Sequence, residues 1–260
     1  MRESWQQRID RACDLAERDE AARPLLEVYG RLLGLQRDCD ETLRLHADRL
    51  SGTLESDLAL MRPCIAPLLS ALTSIGPPQL AEQAGRMLEG DAAAIDAMLL
   101  GGWHARRQQE FLPKIALQPY GQLLAAIGVR PLDRHLPKDI ASCPFCGGAP
   151  QLAILEDAGA DHGGGRSLLC AMCFTVWPFR RVLCAHCGEE DEHRLGYYRA
   201  PAFEHLRVDA CDTCRHYLKT VDLTRLGIAV PVVDELAGAA LDLWAIEHGY
   251  QKIELNLVGL

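Results

Sequence analysis

The sequence predicts an α+β protein: an N-terminal all-α domain, two tandem four-cysteine metal ribbons and a C-terminal helix. Three observations predict it. Apolar residues recur at three and four through roughly the first half. Four Cys-x-x-Cys pairs stand in register after residue 140. Around those pairs, aromatic and β-branched residues gather in short strand-like runs. A chain of 260 residues is near the length at which single cores split. The expected division is a helical domain over 1–138, a first metal ribbon over 139–183, and a second ribbon with the C-terminal helix over 184–260.

In the helical half, Leu25, Leu26, Tyr29, Leu32 and Leu33 trace one buried stripe, and Leu80, Ala84, Met87 and Leu88 trace another after Pro77 and Pro78, a pair suited to a helix start. Ile95, Met98 and Leu99 continue the pattern, as do Tyr120, Leu123, Leu124 and Ile127 ahead of a stop at Gly128. Such stripes are core faces before they are ligand boxes. Cys13, Cys39 and Cys64 lie on these helices with no sequence neighbour to pair with, and are expected to behave as small hydrophobes. Residues 63–81 form the longest uncharged run, but Pro63, Pro67, Pro77 and Pro78 make it a poor membrane span and favour two helices joined by a turn. The segment 129–142, with Pro131 and Pro137 among charged residues, is the expected linker. Beyond it, Phe174–Trp177 and Leu195–Tyr198 have the texture of strands. A last helix is expected from about Glu235 to His248, capped by Asp234 and stopped by Gly249.

Composition narrows the function classes. The formal charge is −9, and the cysteine-rich half carries more of the acidic excess, the reverse of what a phosphate backbone attracts. No nucleic-acid partner and no membrane insertion are expected. The N-terminus alternates charges and lacks the apolar core of a secretory signal, so the chain is expected to be cytoplasmic.

The chemistry lies in Cys143/Cys146, Cys170/Cys173, Cys184/Cys187 and Cys211/Cys214. The first and third pairs are offset by 41 positions, as are the second and fourth, which points to an internal duplication. One Cys-x-x-Cys turn presents two sulfurs to an ion while its amides point at them, and two turns complete a tetrahedron. Gly147 and Gly188 follow the second cysteine of the first and third pairs and supply a positive φ; the other two knuckles lack that glycine. Sequential matching gives each unit an identical loop and makes each a zinc-ribbon or rubredoxin-like site, with a cross-braced matching as the alternative. The expected cofactors are two metal ions, iron or zinc, each bound by four cysteines. A full cysteine shell leaves no open position for Lewis-acid hydrolysis, and no catalytic constellation is visible, so an enzyme is not expected. Redox dithiols and structural disulfides fit the count and the setting less well. His186, inside the third knuckle, reads as a surface histidine, and His162 as part of a hairpin tip. Trp177, Phe179, Arg180 and Arg181 join the two units, and are either packing between them or a partner-binding surface.

The succession CPFCGGAP, LLCAMCFTVWPFRRVLCAHCG, CDTCRHYLKTVDL, VVDELAGAALDLWAIEHGY and NLVGL resembles the formate dehydrogenase accessory protein FdhE family over residues 143–260. Before residue 140 the likeness rests on pieces such as ALQPYGQLLAAIG. The resemblance implies a cytoplasmic protein needed to assemble formate dehydrogenase, in contact with its catalytic subunit and carrying rubredoxin-like sites that bind iron. It carries the eight metal cysteines onto the four pairs named above. The expected function is therefore a metal-binding assembly factor for formate dehydrogenase. The alternatives are a nucleic-acid-binding double zinc ribbon and an electron-transfer module.

Overall fold

Ser4 opens the first helix with a reciprocal cap: its hydroxyl accepts from the Gln7 amide, and its own amide donates to the Gln7 side chain. The computed structural model describes residues 3–105, 110–134, 140–157 and 165–259. Six helices fill the described part of the first half: α1 (Trp5–Arg18), α2 (Arg23–Arg44), α3 (Leu54–Ile75), α4 (Pro78–Glu89), α5 (Ala92–His104) and α6 (Phe111–Ile127). The predicted stripes face inward; only the last members, Leu88 and Ile127, turn to solvent. Gly128 ends α6 in the left-handed region at φ 78°.

The uncharged run does resolve into two helices and a turn, with Gly76 and Pro77 between α3 and α4. Pro63 and Pro67 nonetheless sit inside α3, four apart on its exposed face. By length and composition α3 could cross a membrane; its Leu58, Met61, Ile65, Leu68 and Leu72 are buried in the core. One expectation is overturned. Cys39 on α2 and Cys64 on α3 are not isolated hydrophobes but form a disulfide, because the two helices run side by side and bring their Cα atoms to 4.9 Å.

The second half is built on one mixed sheet. Its described strands are β1 (Pro150–Glu156), β2 (Gly165–Cys170), β3 (Val176–Pro178), β4 (Leu195–Tyr198), β5 (Leu206–Cys211), β6 (His216–Asp222) and β7 (Gln251–Lys252). The two cysteine units each contribute an antiparallel meander, β1–β2–β3 and β4–β5–β6. The meanders are fused where β1 runs parallel to β6, with Leu152 opposite Lys219 and Leu155 opposite Asp222. Short β7 pairs with the other end of β6. The ribbons thus share a sheet as well as a sequence pattern. The strand expected at Phe174–Trp177 starts two residues later, whereas Leu195–Tyr198 is β4 as expected.

The expected C-terminal helix is two: α7 (Pro231–Ala237) and α8 (Ala239–Glu247), broken at Gly238. A Cβ there would lie 2.5 Å from Leu206 Cδ1, so only a glycine lets the chain pass this close to β5. Asp234 does not cap from outside but lies within α7. Its carboxylate accepts from the Val230 amide at 2.7 Å and pairs with Arg11 at 2.5 Å, which ties α1 to the sheet half. The predicted stop, Gly249, has φ 77°. Part of the predicted linker, including Pro137, and the predicted hairpin tip with His162 lie outside the described residues.

Candidate metal centres

Three of the four knuckles close with the same backbone hydrogen bond. The Gly147 amide donates to the Cys143 carbonyl at 2.9 Å, the Gly188 amide to the Cys184 carbonyl at 3.1 Å, and the Arg215 amide to the Cys211 carbonyl at 2.9 Å. Such a turn forces the residue after the second cysteine to positive φ. Gly147 and Gly188 reach 71° and 78° without a Cβ penalty. In the two knuckles without glycine, Phe174 and Arg215 reach 55° and 57° all the same, so the geometry is common to all four turns and is imposed where the sequence does not favour it. Amides within the turns point at sulfur: Phe145 to Cys143, Met172 to Cys170 and His186 to Cys184, each at 3.4 Å.

The fold collects the eight cysteines into two groups, Cys143, Cys146, Cys170 and Cys173 in one, Cys184, Cys187, Cys211 and Cys214 in the other. This is the sequential matching, not the cross-brace. Cys143 and Cys173 sulfurs are 3.6 Å apart and Cys146 and Cys170 sulfurs 3.5 Å; the corresponding separations in the second group are 3.7 and 3.8 Å. A tetrahedron of thiolates with metal–sulfur bonds of about 2.3 Å has edges of about 3.8 Å. The donor set therefore fits a four-coordinate thiophilic ion such as zinc or iron. His186 and His216 stack at 3.6 Å beside Cys214 and complete a third group of possible donors, although Cys214 already belongs to a tetrahedron.

The two groups differ in their surroundings. All four sulfurs of the first belong to buried residues, whereas Cys187 of the second is exposed and Cys214 half-buried. Helix α6 explains the closure. Gln118 donates to the Ala171 carbonyl at 2.7 Å, and Gly121 lets the helix approach the Met172 turn, where a Cβ would come within 3.2 Å of the Met172 side chain. Burial pushes the Cys170 and Cys173 thiols well up, while hydrogen bonds from Cys146, Cys170 and Cys173 hold Cys143 down. Burial also raises Cys184, to about 11. Loading an ion must therefore displace protons from these thiols, and acid opposes loading.

The joining segment is firmly held. Arg166 on β2 donates to the Arg180 and Leu183 carbonyls at 3.1 and 3.2 Å and reaches Asp209 on β5 at 3.1 Å. Trp177 is buried in the core, and Phe179 packs partly against it beneath the Arg166 guanidinium. Arg180 and Arg181 remain exposed, Arg180 paired with Glu190 at 2.7 Å. Sequence reasoning missed the contact of α6 with the second knuckle; its signal was Gln118 and Gly121 on one helix at three-residue spacing.

An α+β protein with two four-cysteine groups built for thiophilic ions on one fused sheet is a double zinc-ribbon-like metal-binding protein. Residues 182–258 match the family model described as the FdhE C-terminal domain. Among relatives named FdhE homologue, one from Aquifex aeolicus is 36% identical over 45% of this chain and 41% of its own length. One from Pseudomonas aeruginosa is 34% identical over 45% of this chain and 38% of its own. A third, from Edwardsiella ictaluri, is 27% identical over 81% of this chain and 65% of its own. In the first two, the match spans about two fifths of the relative's length. The crystal structure of the FdhE protein from Pseudomonas aeruginosa superposes with a TM-score of 0.68 at 24% identity, covering 100% of this chain and 97% of that one, which shows a shared fold. The chain is thus similar to FdhE proteins, most closely through its second half, and shares the fold of one of them.

Proposed function

We propose that this chain is a non-enzymatic, cytoplasmic assembly factor that grips the immature catalytic subunit of a formate dehydrogenase. The observation that supports this most is the closure of the cysteine groups: each supplies four sulfurs to one ion and keeps no coordination position for a substrate. Metal of this kind shapes a surface. The eight cysteines would hold two ions, iron or zinc, and fix the ribbons on the shared sheet, while the helical domain over 1–138 packs behind the first ribbon. Arg180 and Arg181, exposed on a segment whose backbone Arg166 clamps, would offer guanidinium groups to the partner, with Trp177 and Phe179 supporting them from beneath. The test is co-purification of the tagged chain with the catalytic subunit from cells that make both. Capture is expected from the parent chain and weaker capture from an Arg180→Ala, Arg181→Ala variant with unchanged metal content. No capture by the parent would remove the assembly-factor reading.

One observation favours a second reading. The exposed Cys187 brings the second centre to the surface, where an iron–thiolate site could exchange electrons with a partner. A reversible potential in the iron-loaded chain would support it, and zinc alone in the isolated protein would end it.

A further inference from the structure

The duplication lets the two metal centres be compared position by position. At the offset of 41, Phe145 and Thr175 of the first unit correspond to His186 and His216 of the second. Neither residue of the first pair offers a nitrogen: Phe145 packs against the core, and Thr175 Oγ1 lies 3.2 Å from the Cys173 sulfur. In the second unit the same positions place two imidazoles beside a ligand cysteine, with a nitrogen of each ring and the Cys214 sulfur all within 4.8 Å of one another. The three residues are half-buried, so solutes reach them, whereas the first centre lies closed beneath α6.

The rings are held in place. His186 and His216 stack with centroids 3.6 Å apart and planes 8° from parallel. His216 Nδ1 donates to the Cys214 carbonyl at 2.8 Å, and because a carbonyl can only accept, the lone pair of the neutral ring is on Nε2. A backbone carbonyl in this role is what commonly orients an imidazole that binds metal. Stacked rings keep their lone pairs in parallel planes, so the two do not converge on one ion; one ring serves at a time. The four sulfurs already form a complete shell. A nitrogen beside a complete shell is useful during ligand substitution, when one sulfur has left the ion and its replacement has not arrived. Cys187, the exposed ligand, is the sulfur placed to leave. A cavity of about 20 Å³, room for about one water molecule, is lined by Cys184, Cys211 and His216 among others, and gives an incoming group a place beside the shell.

We propose that the second centre is an exchange site, and that His186 and His216 are the transient nitrogen donors through which a divalent thiophilic ion enters and leaves it. Imidazole suits zinc and iron alike, so the pair serves either ion. The first centre, with phenylalanine and threonine at the same positions, keeps its ion. The proposal rests on the reading that each cysteine group holds an ion, and is independent of the capture of a formate dehydrogenase subunit.

The experiment loads the full chain with two zinc ions and follows their transfer to an excess of a chromogenic chelator. The parent chain is expected to release zinc in two phases of one ion each, the fast one from the second centre. Installing the residues of the first unit, His186→Phe with His216→Thr, is expected to slow the fast phase about tenfold or more while the zinc content stays at two. His186→Gln with His216→Gln, which keeps polar side chains there, is expected to do the same. Free imidazole added to either variant is expected to restore the fast phase while changing the parent's rate little, a rescue that a packing role would not give. A fast phase unchanged in both double variants would overturn the proposal, as would slowing that imidazole does not relieve. Zinc content falling to one in both variants would make the histidines resident ligands, and three ions in the parent would make Cys214 a bridge to a further permanent site; either result overturns it as well. A parent chain that holds no zinc or iron would remove the metal-binding reading itself, and the proposal with it.

Discussion

Phe174 and Arg215 hold a backbone conformation that Gly147 and Gly188 reach freely, so the four turns are equal in shape and unequal in local cost. Gly188 has open space for a methyl group, the nearest atom being Ile140 Cδ1 at 3.7 Å, and only φ resists it. Gly188→Ala should therefore cost about 1 kcal/mol, read as a lower denaturation midpoint with metal still bound. Ligand sharing is testable at the same scale. Cys146→Ala with Cys170→Ala should lower the metal content from two ions to one, since no sulfur of the first group approaches the second. A content near zero would mean that the centres depend on each other. The exposed Cys187 also predicts an order: a thiol reagent added to the loaded protein should release one ion fast and the other slowly, the fast one from the second centre.

Among the elements, α7 stands on a buried ion network that no sequence pattern announced. Lys219 on β6 and Lys252 on β7, both almost fully buried, face Glu235 and Asp242; Lys219 is 2.9 Å from Glu235, and Lys252 is 3.0 Å from Asp242. Burial alone would raise the Glu235 carboxyl, but the two ammonium groups overcome it and hold it near about 2. A depressed folded value contributes stability that is complete above the unfolded value near 4.5 and is lost as the pH falls from there toward 2. Glu235→Gln should cost roughly 3–5 kcal/mol at neutral pH, because two buried ammonium groups lose their shared partner. It should also flatten the acid limb of stability against pH relative to the parent, a difference that separates this titration from proton-driven metal loss. The knuckles were legible in the sequence because Cys-x-x-Cys is a local signal, and the helices because their stripes are periodic. The close approach of Gly238 to Leu206 was not legible, since it depends on another element, and neither was the parallel pairing of Leu152 with Lys219, whose register no local pattern encodes. The Cys39–Cys64 pair was hidden for the same reason: it depends on how α2 lies against α3.

At the level of the whole molecule, the last residues act as a strap. Glu254 pairs with Lys114 of α6 at 2.7 Å, Asn256 donates to Glu235 at 3.2 Å, and the Ile253 amide donates to the Tyr217 carbonyl at 3.0 Å, so one short segment touches the helical half, α7 and β6. Removing residues 253–260 should destabilise the helical half and the sheet half together, seen as loss of cooperativity in thermal unfolding followed by helical and by tryptophan signals. Chelation should act less evenly. Structural zinc in small domains is worth about 10–16 kcal/mol, enough to decide whether the exposed second ribbon folds, while the helices share one core with the buried first ribbon, and Leu206, Val208, Tyr217 and Leu241 of the second half form a separate cluster. Far-ultraviolet helical signal should then largely survive metal removal as the environment of Trp244 is lost. The parallel seam between β1 and β6 carries a consequence for synthesis. When β1 leaves the ribosome, the strand that will cover its open edge has not yet been translated, and the nascent chain must carry an unpaired hydrogen-bonding edge for the time it takes to reach residues 219–222. Chains arrested just after the first ribbon should accordingly aggregate or recruit a chaperone, and those arrested after β6 has emerged should not.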